Sequence, residues 1–268
     1  MKLRGFSVPY IVWMVFSIVA PMVLVLFYAF TSKGDGSFTL DNFIKFFSPT
    51  VIRGQNVYMQ LSVLGDSLVL ALLSTIVCLI IGYPVAMAMA SKDIKNPATV
   101  MVLFVVPMWM NFLLRTYAWV VLLEPTPILN TQYAVVLGMV YNFLPFMILP
   151  IYSVLQKISR SVIEAARDLG AGSMRVFFKV VFPLSIPGVV TGITMVFMPA
   201  VSTFVISRLL GGGKTILFGD IIENQFLLTL NTNYGSALSI ILMVMILISM
   251  AIMNRYTSKE ESGGGFLI

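Results

Sequence analysis

Six stretches of the chain, residues 5–32, 67–91, 96–114, 125–156, 180–207 and 224–254, contain no Asp, Glu, Lys or Arg; their lengths are 28, 25, 19, 32, 28 and 31 residues. A helix needs about 20 apolar residues to cross a hydrocarbon core, so each stretch suffices for one crossing. The runs are continuously apolar and lack the two-residue alternation of a membrane strand, which selects helices over a barrel. Trimmed at their polar ends, the spans are expected at about 8–30, 68–90, 98–122, 133–156, 185–208 and 235–254. Arg115 falls inside the outer half of the third. The expected fold class is an all-α membrane protein with six transmembrane helices.

Composition excludes the alternatives. Only 10% of residues are charged and 59% are hydrophobic, with mean hydropathy +0.96. A soluble domain carries roughly a quarter charged residues, so there is too little polar side chain to cover a globule in water. Soluble enzymes, nucleic-acid binders and disordered chains are thereby excluded. The chain has no histidine and one cysteine, Cys78, so no metal site, internal disulfide or histidine base is expected. The first apolar run is far longer than the roughly 7–15 residues of a signal-peptide core and is read as a retained span.

Placing the few charges orients the chain. Six spans put both termini on one side with the loops at 91–97 and 157–184. That side holds eleven Lys and Arg, five of them in the 157–184 loop, against five acids; the opposite side balances six against six. The whole net charge of +6 therefore lies on one face, which the positive-inside rule assigns to the cytoplasm. Two outer loops are long. One contains FIKFF (43–47), expected as a short interfacial helix. The other contains ILFGDIIENQFLL (216–228), whose Asp220 and Glu223 share a helical face. That stretch is either a surface helix on the membrane boundary or part of an entrance from outside. The end of the chain, SGGGFLI (262–268), is read as a flexible tail.

The 157–184 loop reads KISRSVIEAARDLGAGSMRVFFKVVFPL. Ser161 with Glu164 three residues on has the spacing of a capping box, and Gly170 is placed to end the helix. A second amphipathic piece, Arg175 to Phe182, leads into Pro183.

Glu164-Ala165-Ala166, then Gly170 after three intervening residues, then Val180 and Phe182-Pro183, resembles the EAA motif of ABC importer permeases. Val180 and Phe182 replace the usual Ile and Leu. The likeness extends to TLDNF (39–43), the span at 67–90, VPMWMNFLLRTYAW (106–119), LPFMILPIYSVL (144–155) and ISRLLGGGKTILFGDIIENQF (206–226). These segments are similar to the spermidine/putrescine importer permeases, and to their B-type subunit more than their C-type.

The resemblance implies a type I ABC importer permease fold. A single transmembrane permease domain would occupy residues 1–261, with a cytoplasmic coupling helix between helices 4 and 5. It implies a non-catalytic subunit in a bacterial cytoplasmic membrane, with no cofactor of its own. Its partners would be a second homologous permease chain, two copies of an ATPase that binds ATP-Mg, and an extracytoplasmic binding protein. Glu164, Ala165, Ala166 and Gly170 would couple to the ATPase; alternatively Glu164 only caps its own helix. A polyamine is a flexible polycation, so acids and aromatics are the candidates for its path: Asp66, Trp109, Tyr117, Glu124, Asp220 and Glu223. For the aromatics the competing role is anchoring at the membrane interface. Arg208 would repel a polycation, so either the partner permease supplies the compensating charge or the solute preference has shifted; the alternative solute is a metal ion or an oxyanion. A secondary transporter is disfavoured because the spans hold no acid.

Two further patterns concern structure. Gly211-Gly212-Gly213-Lys214-Thr215 resembles the end of a P-loop, but the position of the first glycine is Arg208, so it is read as a turn. Gly188 and Gly192 form a GxxxG pattern expected to let helices approach closely.

Overall fold

A computed structural model describes residues 8–34, 36–52, 55–91 and 96–263. Lys2, Arg4, Lys92, Lys95 and the last five residues of the expected tail lie outside them. The chain forms two compact units: residues 1–65 with 218–247, and residues 66–217 with 248–268.

The first unit begins with α1 (Val8–Met14), a π-helical turn at Val15–Val19, and α2 (Ala20–Ala29). Together they supply the first apolar span, of which only 6% is buried over Val12–Ala29. Beyond α2 the chain turns back, with Thr31 bridged to Phe38, into α3 (Asp41–Phe47) on the predicted FIKFF stretch. Strands β1 (Thr50–Ile52) and β2 (Gln55–Val57) pair antiparallel, and the start of α4 (Met59–Ala90) follows, the helix from Asp66 onward belonging to the second unit. Later in sequence the unit holds α12 (Phe218–Leu227) and the start of α13 (Thr232–Gly263). Aromatic rings fill its interior: Phe46 meets Phe218 edge-on at 6.0 Å, and the Phe30 ring lies tilted 5.0 Å from Phe43.

Two asparagines tie this unit together. Asn42 Nδ2 donates to the carbonyls of Ala29 and Thr31, both at 3.0 Å. Asn233 Nδ2 donates to Tyr28 O at 3.0 Å, Thr31 O at 2.9 Å and Thr31 Oγ1 at 3.1 Å. A helix leaves its last carbonyls without intrahelical donors, and these side chains satisfy the ones at the end of the first span.

In the second unit, α7 (Gln132–Leu155) is the most deeply buried span, with 13 of its 24 residues buried. Small residues bring its neighbours close. A Cβ built at Gly82 of α4 would lie 3.0 Å from Met147 Cγ. On α10 (Phe182–Ser202), a Cβ at Gly188 would lie 2.9 Å from Pro150 O, and one at Gly192 would lie 2.8 Å from Met147 Sδ. The GxxxG pattern thus faces α7, as membrane helix packing favours. Gly138 of α7 itself abuts Ile206 and Leu210 of α11 (Val205–Leu210). Polar links also join the helices here, among them Tyr83 OH to Ser185 Oγ at 2.8 Å and Asn142 Nδ2 to Thr116 Oγ1 at 3.4 Å.

Five helices among the described residues are long and apolar enough to cross a membrane, and the expected third span differs. It is not one helix over 98–122: α5 (Pro97–Trp109) and α6 (Phe112–Leu123) diverge by 94°. Met110 and Asn111 are extended between them, and Asn111 Oδ1 accepts from the Leu113 N–H at 2.8 Å. Asparagine is among the strongest N-caps, so it starts a new helix where the apolar pattern predicts continuation. Counting the bent pair as one span brings the number to six.

Candidate functional site: the 157–184 loop and the outer acids

The loop after α7 opens with α8 (Arg160–Asp168), continues through α9 (Ser173–Val176) and a π-helical turn at Phe177–Val181, and merges into α10. α8 ends as predicted. Gly170 adopts φ +78°, its N–H donates to Arg167 O at 2.8 Å, and the Ala171 N–H donates to Ala166 O at 3.1 Å. That pair of bonds is a Schellman motif, and the left-handed residue at its corner favours glycine.

The start of α8 differs from expectation. Ser159 occupies the cap position with no side-chain capping bond, and Ser161 lies within the helix with its Oγ 2.6 Å from Ser159 Oγ. The predicted capping box with Glu164 is absent, because the helix begins one residue before Ser161 rather than after it. Glu164 therefore does not cap its own helix.

α8 presents two faces. Arg160, Ile163, Glu164 and Arg167 recur at helical spacing and line a cavity of about 1090 Å³. The cavity's other walls are the ends of α4 and α7 and the α9 segment, including Met89, Leu155, Val176 and Phe177. Val162, Ala165 and Leu169 are exposed, Leu169 by 88%, and Met174 beyond the Gly170 corner is exposed as well. Val162, Ala165 and Leu169 form an exposed apolar strip on the face of α8 opposite the charged rim.

The candidate path residues fall into both units. On α12, Asp220 is only 7% exposed and Glu223 is half-buried one turn later. The surface-helix reading of 216–228 is thus corrected at its N-terminal turn, where Phe218, Gly219 and Asp220 are buried. Asp220 there complements the positive end of the helix. In the second unit, Asp66 is exposed on α4, and Trp109 is 85% exposed at the end of α5. Tyr117 and Glu124 are both exposed, seven residues apart and on one face of α6 and its cap. Arg208 lies exposed in the last turn of α11.

The glycine-rich stretch is a turn. Gly211 N–H donates to Ser207 O at 2.8 Å, Gly212 and Gly213 take φ +54° and +75°, and Gly212 packs against the Asn130 side chain. The Asn130 N–H donates to Leu210 O at 2.9 Å, which pins the turn to the loop before α7.

Residues 82–260 match the family described as the binding-protein-dependent transport system inner membrane component. The chain belongs to this family. The permease is 38% identical over 255 residues to the spermidine/putrescine transport system permease protein PotB of Haemophilus influenzae, covering 87% of this chain and 86% of that one. It is 34% identical over 254 residues to the protein of the same name from Escherichia coli, covering 87% and 89%. Among solved structures, a bacterial ABC transporter involved in import of the acidic polysaccharide alginate superimposes with TM-score 0.76 at 14% identity, over 96% of this chain and 95% of that one. The MetNI methionine ABC transporter gives 0.59 at 19% identity, over 74% and 94%. The permease has the type I ABC importer fold that the EAA resemblance implied, and it is a multi-pass component of a bacterial inner membrane.

Two features of the permease went unread in its sequence. The Asn42 and Asn233 bonds have main-chain acceptors, which leave no mark on side-chain pattern. The two-faced character of α8 was readable only once its first residue was known.

Proposed function

We propose that the permease forms half of a polyamine translocation path and takes its drive from a separate ATPase docked on the 157–184 loop. The observation that carries the substrate class is the 38% identity, over 87% of the chain, to a relative named for spermidine and putrescine transport. The other half of the path is a second homologous permease chain. Two ATPase subunits bind ATP-Mg on the cytoplasmic side, and an extracytoplasmic binding protein delivers the solute. Both termini and the 157–184 loop face the cytoplasm, in line with the +6 asymmetry. Residues 1–261 act as one permease domain; Ser262 and Gly263 of the expected tail continue α13.

Each residue's part follows from its chemistry. Ala165 and Ala166 are small and admit close approach by the ATPase. Gly170 makes the corner that holds α8 across the membrane face. Glu164 supplies charge at the docking edge. On the outer side, Asp220 and Glu223 on α12, with Asp66 and Glu124, attract an ammonium chain. Trp109 and Tyr117 offer ring faces worth about 0.5–2 kcal/mol per cation contact.

The test is reconstitution of the permease with its co-purifying subunits and binding protein, followed by a solute screen read as ATPase stimulation. Stimulation by spermidine or putrescine is expected. Stimulation by a metal ion or an oxyanion, with none by any polyamine, overturns the substrate class and leaves the fold untouched.

A further inference from the structure

The cavity under α8 has a composition that ATPase docking does not require. Its rim carries Arg160, Glu164 and Arg167 on successive turns of one helical face, and its floor is apolar, with Met89, Leu155 and Phe177 among the lining residues. Formally the three charged groups sum to a single positive charge. The cavity lies where two candidate membrane spans end, α4 at Ala90 and α7 at Leu155. Its apolar floor is continuous with the ends of two helices apolar enough to cross a membrane. Its volume, about 1090 Å³, is just above the roughly 300–1,000 Å³ usual for small-molecule pockets.

We infer that this cavity is a binding site for a monoanionic phospholipid of the phosphatidylglycerol type. The phosphate accepts from the two guanidinium groups, whose planar forks suit phosphate oxygens better than any ammonium would. The headgroup hydroxyls donate to the Glu164 carboxylate. The first methylenes of the acyl chains cover the apolar floor, Met89 and Leu155 included. One negative lipid matches the single positive charge of the rim; a zwitterionic lipid leaves it uncompensated. The lipid would hold α8 from behind while its Val162–Ala165–Leu169 face stays free.

The inference rests on the proposed cytoplasmic side only for which leaflet supplies the lipid. Lipid retention in an extracted complex is read without regard to side, so failure of that placement and failure of the site are distinguishable.

The experiment uses the whole transporter, permease with its co-purifying subunits. It is assembled in phosphatidylcholine nanodiscs containing equal fractions of phosphatidylglycerol and phosphatidylethanolamine, then released and weighed by native mass spectrometry. The wild type should retain phosphatidylglycerol selectively. The double variant Arg160→Gln/Arg167→Gln should retain it roughly 30-fold more weakly, the loss expected for two basic contacts at a lipid surface. Arg160→Lys/Arg167→Lys should recover part of it. Ala90→Trp fills the cavity and leaves both arginines in place; it should also lose the lipid while keeping the ATPase subunits. Retention unchanged in Ala90→Trp, or equal retention of phosphatidylethanolamine, overturns the site. Displacement of the lipid by excess inorganic phosphate identifies a free-phosphate site and overturns the lipid assignment.

Discussion

Asn233, on the first turn of α13, donates through its side chain to the carbonyls of Tyr28 and Thr31, at 3.0 and 2.9 Å. The residue is buried, and Asn42 serves the same turn from α3. Replacing Asn233 by Leu removes three bonds, while Thr31 O keeps its bond from Asn42 and Tyr28 O its bonds from Thr31, so a cost of about 0.5–1.5 kcal/mol is expected. Thermal unfolding of the purified complex should show a lower midpoint. Asn233→Asp should be at least as harmful, since a carboxylate cannot donate. An unchanged midpoint in both variants would refute the tie.

Gly192 packs where a Cβ would sit 2.8 Å from Met147 Sδ and 3.1 Å from its carbonyl. Gly192→Leu should force α10 off α7, at about 1–3 kcal/mol or more, and lower the amount of assembled complex in the membrane. A Cβ at Gly65 would meet no atom within 4 Å, so Gly65→Ala serves as the neutral control. Quantitative blotting of membranes compares the two.

Gly170 has φ +78° at the corner after α8. An L-residue with a bulky side chain meets a penalty of about 1–2 kcal/mol there, and asparagine a smaller one. Gly170→Leu should leave abundance in the membrane unchanged and cut polyamine uptake by about tenfold or more, whereas Gly170→Asn keeps part of it. Normal uptake by Gly170→Leu at normal abundance would remove the coupling role of this corner.

Asn111 caps α6 through its bond to Leu113 N–H. Asn111→Ala should cost about 1 kcal/mol, and Asn111→Ser much less. The readout is again the unfolding midpoint, with the ordering Asn, Ser, Ala expected.

Asp220 is buried on α12 with Glu223 one turn on. Asp220→Asn keeps size and removes the charge. If the α12 acids draw in a polycation, uptake should fall about tenfold at low spermidine and less at saturating spermidine. An equal loss at both concentrations points to a folding role instead.

The spans were legible because charges are so costly in a bilayer that their gaps mark the helices. That signal reports apolarity alone, so it ran straight through Met110 and Asn111, where local capping turns the chain by 94°. The same limit applied at α8. Ser159 and Ser161 are both hydroxyl residues, and side-chain type could not decide which precedes the helix; the extended backbone of Ser159 decides it. Gly170 was legible because its motif places one glycine where a left-handed residue is needed. The burial of Asp220 was hidden because amphipathic spacing tells which residues share a face and says nothing of what covers it. Asn42 and Asn233 bond across separations in sequence, 202 and 205 residues for the latter, and nothing local announces that.

The bend between α5 and α6 also fixes a length. Thirteen and twelve residues give legs of roughly 20 and 18 Å, so neither leg alone reaches across a hydrocarbon core of about 30 Å. The link at Met110 and Asn111 is non-helical, and backbone of that kind is tolerated at membrane depth only where protein or a water-filled cavity covers it. The corner between α5 and α6 is therefore the part of this crossing that lipid tails alone cannot surround.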